Sequence, residues 1–432
     1  MIKILIAESM PAQNKGEMAI FQSLYDACME EFNGQVTFEM LSFDADYDQK
    51  CFGDCVKLID TRKSWSYVHQ HNHGLSVFRS FLVLCQHVIF CFGYWVFSSH
   101  ILKLFSSEIW SSYLKCDIVI YGHDSSFGVG GDPENPLLYP LYIPLVAKIL
   151  GKKVMFFAGS IPPPPARFKW LFRKMVKIAL GASDAVTLRE PISAQRVEGK
   201  AIQKTEVLAD IAYTLKADSS QVSKDILSKL NISGSKKLIG FTISHVRARM
   251  AYPDLTHRES QERHFEYIAE IIEDICARQN AHALLIPHSI GAPGTSDDRQ
   301  ANKYIASKIS SENVSDLQID MPPKVLKALI GQLDLLVGER LHSIIAAASM
   351  NVPVIAVSYR NDTRLPMVSN VIGDDSVIYI EQLESSELID KMERYLNESD
   401  GVLEAQRARF EHVLDKSKRN IEILGQLVNR ND

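Results

Sequence analysis

Asp334-Leu335-Leu336-Val337-Gly338-Glu339-Arg340-Leu341-His342-Ser343, continuing into Ile344-Ile345-Ala346-Ala347-Ala348-Ser349-Met350, is the stretch on which the fold reading turns. A short apolar run that stops at a glycine reads as a buried strand, and the longer apolar run from Leu341 to Met350 reads as a helix. Strand, tight turn and helix in so few residues make half of a βαβ unit. Strands that are apolar without alternation belong to parallel sheets covered by helices on both faces.

The same alternation extends on both sides. In the first half, strands are expected at Ile2 to Ala7, Thr37 to Ser42, Asp117 to Tyr121, Lys153 to Phe157, Ala185 to Leu188 and Glu206 to Ala209, with helices at Gly16 to Glu31, Pro136 to Leu150 and Ala166 to Leu180. The second half restarts at Lys237 to Ile243, and further strands are expected at Ala283 to Pro287, Leu317 to Asp320, Asp334 to Gly338, Val354 to Val357 and Val377 to Ile380. Two doubly wound, Rossmann-like α/β domains follow, with a ligand cleft expected between them outside the carboxyl ends of the strands. The expected division is 1–215 for the acceptor side, a polar linker 216–235 containing Ser233-Gly234-Ser235, 236–400 for the donor side, and a C-terminal helix in 401–432 able to fold back on the first domain.

Composition agrees with two cores of roughly 200 residues each. Of 432 residues, 46% are hydrophobic and 23% charged, and the net charge of −5 excludes a protein built mainly around nucleic acid. Seven scattered cysteines are no disulfide framework and point to a reducing, cytoplasmic setting. Ser80 to Ser98 has no Asp, Glu, Lys or Arg. Its length suits a membrane span, but strands before and after it must share one sheet. A buried helix is therefore expected ahead of a patch lying in a membrane interface, which Tyr94 and Trp95 would favour.

The candidate chemistry sits at strand ends. Arg340 and His342 open a helix, where the positive dipole end attracts anions, the guanidinium offers a fork for carboxylate or phosphate, and the imidazole offers a proton. The alternative is that Arg340 pairs with a structural carboxylate and His342 caps the helix. His288 ends the strand Ala283 to Pro287, with Ser296-Asp297-Asp298 after it as a helix cap; otherwise it is a surface histidine. Ser244, His245, Arg247 and Arg249 leave the first strand of the second domain as an anion-binding loop or a solvated basic one. In the first domain, Asn14-Lys15-Gly16-Glu17 opens the first helix, and Gly122-His123-Asp124, Gly159-Ser160-Ile161-Pro162 and Thr187-Leu188-Arg189-Glu190 end strands. Cys51, Cys55, His69, His71 and His73 lack zinc spacing, so no metal is expected. There is no P-loop and no G-x-S-x-G elbow.

Asn14-Lys-Gly-Glu-Met-Ala19, Gly159-Ser-Ile-Pro162, Leu188-Arg-Glu190, Ile286-Pro-His288, Ser296-Asp-Asp298, Gly338-Glu-Arg-Leu-His-Ser343 and Val352-Pro-Val-Ile-Ala-Val-Ser-Tyr359 together resemble the polysaccharide pyruvyl transferase family, from Ile2 to about Ile380. The chain departs from that family's usual pattern at Glu17, Gly122-His123-Asp124 and Arg360-Asn361-Asp362. The resemblance implies a GT-B-like fold and transfer from phosphoenolpyruvate, a co-substrate with no further cofactor, to a saccharide or lipid-linked saccharide. That would take place in the cytoplasm, at the inner face of the membrane when the acceptor is lipid-linked. Under it, His342 is expected as the acid or as a phosphate contact, with His288 or Asp124 as base. Arg340, Leu341, Ser343, Arg189, Ser244 and Arg247 are expected on the donor side, and Asn14, Gly16, Glu17, His123 and Ser160 on the acceptor side. The competing readings are a GT-B glycosyltransferase using a nucleotide sugar and a non-catalytic glycan-binding relative.

Overall fold

The structure, a computed structural model, describes residues 1–61, 76–97, 100, 108–122, 139–164, 169–232, 234, 236–291 and 297–429, without the side chains of 76–84, 87, 139–142, 245 and 246. His69, His71, His73, His123, Asp124 and Ser296 lie outside the described residues. Contacts divide the chain into two units. One comprises Met1–Ala12, Ile20–Ile211 and Lys416–Asp432, and the other Gln13–Ala19 with Ala212–Asp415.

The first unit holds strands β1 (Ile2–Ile6), β2 (Val36–Ser42), β3 (Lys57–Asp60), β4 (Ile118–Tyr121), β5 (Lys153–Gly159), β6 (Ala185–Leu188) and β7 (Thr205–Val207). They form one parallel sheet in the order β3-β2-β1-β4-β5-β6-β7. The second unit holds β8 (Lys237–Thr242), β9 (Ala281–Leu285), β10 (Val314–Asp316), β11 (Leu335–Gly338), β12 (Val354–Ser358) and β13 (Val377–Tyr379), parallel in the order β10-β9-β8-β11-β12-β13. Every residue of β4, β11 and β12 is buried. Each Leu, Ile or Val there contributes roughly 1.5–3 kcal/mol over its exposed state, which is why these runs carry no alternation. The strand order reverses between β1 and β4 and between β8 and β11, and such switch points open a crevice beyond the strand ends.

Local signals set the helix limits. Thr256 and Glu259 form a reciprocal capping box at the start of the helix His257–Gln279, and Asn280 ends it in the left-handed region with φ 45°. Within the first unit, Ser417 Oγ of the final helix, Asp400–Asn429, donates to Asp210 O at 2.7 Å, and Asn420 Nδ2 to Ala209 O at 3.0 Å.

Several elements differ from expectation. The polar stretch 216–235 contains a helix, Ser220–Lys229, of which Ser223 is the buried residue. The tenth strand is Val314–Asp316 rather than Leu317 to Asp320; a polar edge strand precedes the buried Leu317 that marked it. Of the Ser80 to Ser98 stretch, the described residues, 80–97, fall in a helix, Ser76–Phe97, that is not buried throughout. Phe90 stacks on Trp110 with ring centroids 3.8 Å apart, while Val88, Ile89, Phe92, Trp95, Val96 and Phe97 are exposed. Among the described residues, no helix is long and apolar enough to cross a membrane.

Candidate active site

β9 and β11 deliver His288 and Arg340-Leu341-His342 to the same end of the second sheet, and the segment Gln13–Ala19 joins them. The backbone holds this junction. Lys15 N donates to His288 O at 2.9 Å, Ile290 N to Gln13 O at 2.9 Å, and Asn14 bridges to Ser289. Asn14 Oδ1 accepts Gly16 N at 3.0 Å, the side-chain pattern of a helix cap. Three helices therefore begin here: Lys15–Glu31, Asp298–Lys308 and Leu341–Ser349. Each points its positive end toward the junction, the arrangement that favours an anion.

Asp298, fully buried, ties the junction together. Its Oδ2 accepts His288 N at 2.9 Å, Ser289 N at 2.8 Å and Arg340 Nε at 3.1 Å, and its Oδ1 accepts Arg340 Nη2. Arg340 thus presents Nε and Nη2 to a structural carboxylate, where the expectation had its fork on the donor. The reason is desolvation: a guanidinium with a side chain only 20% exposed must be matched. Lys15, also buried, pairs with Asp320 at 2.6 Å.

Other expected donor contacts are internal as well. Arg247 donates to Glu339 O at 2.8 Å, Ser358 Oγ at 2.8 Å and Asp362 Oδ2 at 3.0 Å. It is a buried strut on a short helix, His245–Ala251, where a basic loop was expected. Ser244 N donates to Glu339 Oε2 at 2.7 Å, and His264 Nε2 meets Glu339 Oε1 at 2.8 Å. Ser343 Oγ bonds Arg340 O and Thr242 Oγ1, and Leu341 is buried. Arg189 and Ser160 belong to the first unit and satisfy each other: Arg189 Nε donates to Ser160 Oγ at 2.6 Å, Arg189 Nη1 to Asp210 Oδ2 at 2.9 Å, and Ser160 Oγ to Glu190 Oε2 at 2.9 Å. Such buried ionic clusters hold strand ends in place.

The structure does bring His342, His288 and Gly16 together. A methyl group at residue 16 would sit 2.1 Å from His342 Nδ1, so only glycine admits this ring. Asn14 and Glu17, expected on the acceptor side, group with this junction too. His288 is 6% exposed, and its Nδ1 is buried without a hydrogen-bond partner. Such an atom is costly unless a ligand meets it. Burial, and then His342, Arg340 and Lys15, push the His288 imidazole down to about 3, so it is neutral at neutral pH.

That shift has a stability consequence. An unfolded histidine titrates near 6.5, well above the folded value of about 3. Between those values the unfolded chain holds the extra proton, so stability falls as pH drops from about 6.5 toward 3, by at most ~1.4 kcal/mol per pH unit. Above that window the contribution is fully present. Urea midpoints of the native chain should fall more steeply with acid than those of His288→Gln. Equal slopes would contradict the assignment.

Sequence reasoning missed the roles of Lys15, Asp298 and Asp320. Asp298 had a signal in the Asp297-Asp298 pair: Asp297 caps the helix by accepting Arg299 N, leaving the second carboxylate to turn inward. Among the described residues no group of three or more His, Cys, Asp or Glu side chains is placed to hold a metal ion.

A family model described as polysaccharide pyruvyl transferase matches residues 14–361, from the Asn14 cap through Arg340 and His342. The chain belongs to the polysaccharide pyruvyl transferase family. This family member is thereby a transferase of polysaccharide biosynthesis, and the junction described above lies inside the matched span. Among solved structures it is similar to a glycosyltransferase from Rickettsia africae (TM-score 0.56, 13% identity, 100% of this chain and 99% of that one). It is also similar to the UDP-GlcNAc 2-epimerase of Methanocaldococcus jannaschii (TM-score 0.59, 13% identity, 98% and 100%). A third is the Neisseria meningitidis UDP-GlcNAc 2-epimerase bound to UDP-GlcNAc (TM-score 0.57, 11% identity, 99% and 100%). At these identities the likeness shows the GT-B-type, two-domain α/β fold. No curated protein matches this pyruvyl transferase family member.

Proposed function

We propose that the His288–His342 junction binds phosphoenolpyruvate and transfers its three-carbon group to two hydroxyls of a saccharide, free or lipid-linked. The observation that carries this reading is the convergence of three helix starts on two histidines, one with a buried, unpaired Nδ1, within the span that matches the family. The cations at the junction are matched by Asp298 and Asp320, so the helix ends and the imidazoles are left to meet the donor's carboxylate and phosphate.

In the proposed reaction a proton adds to the methylene carbon of the donor while one sugar hydroxyl adds to the neighbouring carbon. A second hydroxyl then attacks that carbon and phosphate leaves, closing a cyclic ketal. One hydroxyl proton replaces the proton given to the methyl group, and the other departs with phosphate. His342, beside Gly16, is assigned the acid. His288, neutral when the junction is empty, takes a hydrogen bond from or gives one to the donor and gains basicity when a dianion arrives. Asp124 is retained as the alternative base. The step uses no cofactor beyond the donor, and a cytoplasmic setting at the inner membrane face suits a lipid-linked acceptor.

Nucleotide-sugar transfer is the competing reading, because a similar fold in the Neisseria structure holds UDP-GlcNAc. Phosphate release from phosphoenolpyruvate, measured with a panel of cell-surface saccharides, separates the two. Acceptor-dependent release is expected. No release with any acceptor, combined with a melting temperature raised by UDP- or GDP-sugars and not by phosphoenolpyruvate, would overturn the proposal.

A further inference from the structure

We infer that the outer face of one helix layer of the first unit is a docking surface for a bilayer carrying anionic headgroups. The helices Ser76–Phe97, Tyr139–Ile149 and Lys169–Ala182 each bury one side in the same hydrophobic cluster. The first contributes Phe90 and Cys91, the second Ile143, Val146 and Ala147, and the third Phe172, Val176, Ala179 and Leu180. Among the described side chains of these helices, the exposed ones include many large apolar groups. Val88, Ile89, Phe92, Trp95, Val96 and Phe97 are exposed along the first helix, with Trp95 at 80%; Ile149 ends the second, and Trp170, 69% exposed, begins the third. Soluble surfaces rarely carry so contiguous an apolar ridge without a partner.

Charge selects the partner. The helix Lys169–Ala182 carries Lys169, Arg173, Lys174 and Lys177 and no acid, in a chain whose net charge is −5. Trp170, Arg173, Lys174, Lys177 and Lys200 line a groove of about 750 Å³, with Glu198 as its one acid. A basic row beside an aromatic and aliphatic ridge is what an interfacial anchor needs: cations attracted to anionic headgroups, tryptophans at headgroup level, and apolar side chains just below them. A second copy of the chain fits less well, since a two-fold contact would place one basic row against the other. This inference deepens the proposed reading, because it gives a lipid-linked acceptor a surface to be met on. It stands on this layer alone and not on the donor assignment.

Sedimentation of the full chain with vesicles tests it. The chain should bind vesicles of phosphatidylcholine mixed with phosphatidylglycerol, bind phosphatidylcholine alone weakly, and release with added salt. Each cation near an anionic surface is worth roughly fivefold in affinity. The combined Arg173→Glu, Lys174→Glu and Lys177→Glu variant should therefore lose at least about tenfold, and the combined Phe92→Ser and Trp95→Ser variant should also bind more weakly. All five side chains are exposed, so melting temperature and phosphate release with a soluble acceptor should not change. Failure of the donor assignment would appear in the second of those readouts and leave sedimentation untouched. Absence of binding to either vesicle, or binding that both variants retain, would overturn the inference. So would a dimer in light scattering that Trp95→Ser dissolves, which would give the ridge to a second copy.

Discussion

Asp298→Ala should destabilise the second unit by about 3–5 kcal/mol, the cost of leaving one member of a buried ion pair alone. The substitution removes four accepted hydrogen bonds at once, two from the backbone of His288 and Ser289 and two from Arg340. Each buried donor left without a partner costs about 1–3 kcal/mol. Arg340 recovers part of its loss from water because its side chain is 20% exposed, which sets the total near that of one broken pair rather than the sum. Thermal unfolding should show the transition of this unit falling by on the order of 10 °C. Asp298→Asn, which keeps one oxygen in place, should fall less. A loss under about 1 kcal/mol for the alanine variant would mean that the carboxylate does not organise the strand ends.

His342→Ala should lower the rate of phosphate release by about 10²–10⁴-fold, the range for a positioned general acid. Its stability should change little, since the half-buried ring sits at a helix start rather than in the core. Gly16→Ala reaches the same group from the other side. The added methyl would lie 2.1 Å from Nδ1, so the ring must move or the helix start must shift. Overpacking of this kind costs about 1–3 kcal/mol, and the displaced imidazole should lower the rate well beyond what the lost stability explains. Because glycine acts here through the ring, the double variant should be no slower than His342→Ala alone. Additive losses would show that residue 16 works independently of the histidine.

The architecture was legible because buried parallel strands are short and apolar, so β1, β8, β11 and β12 stood out as runs between amphipathic stretches. Edge strands were not. Lys57–Asp60 went unseen and Val314–Asp316 was displaced because their half-exposed faces carry polar residues that break the pattern. Spacing singled out His342, His288 and the Asn14–Glu17 turn, which the fold brings to one junction, since each follows a strand and precedes or faces a helix start. Spacing could not find partners. Whether an arginine at a strand end reaches for ligand or for carboxylate depends on residues brought in from elsewhere in the chain. Arg340 met Asp298, Arg247 met Asp362 and Arg189 met Asp210. Residue type, place and family resemblance point all three arginines to the donor and carry no information on these carboxylates.

Calorimetric titration of phosphoenolpyruvate into the full chain, at about pH 5 to 6 in buffers of different ionisation enthalpy, reads the junction directly. Binding is expected with uptake of a proton, because a dianion beside His288 raises an imidazole that stands at about 3 in the empty junction. The buffer-dependent heat should vanish in His288→Gln, and affinity should fall in His342→Ala. Absence of binding, or binding that neither substitution alters, would contradict the placement of the donor between these two histidines.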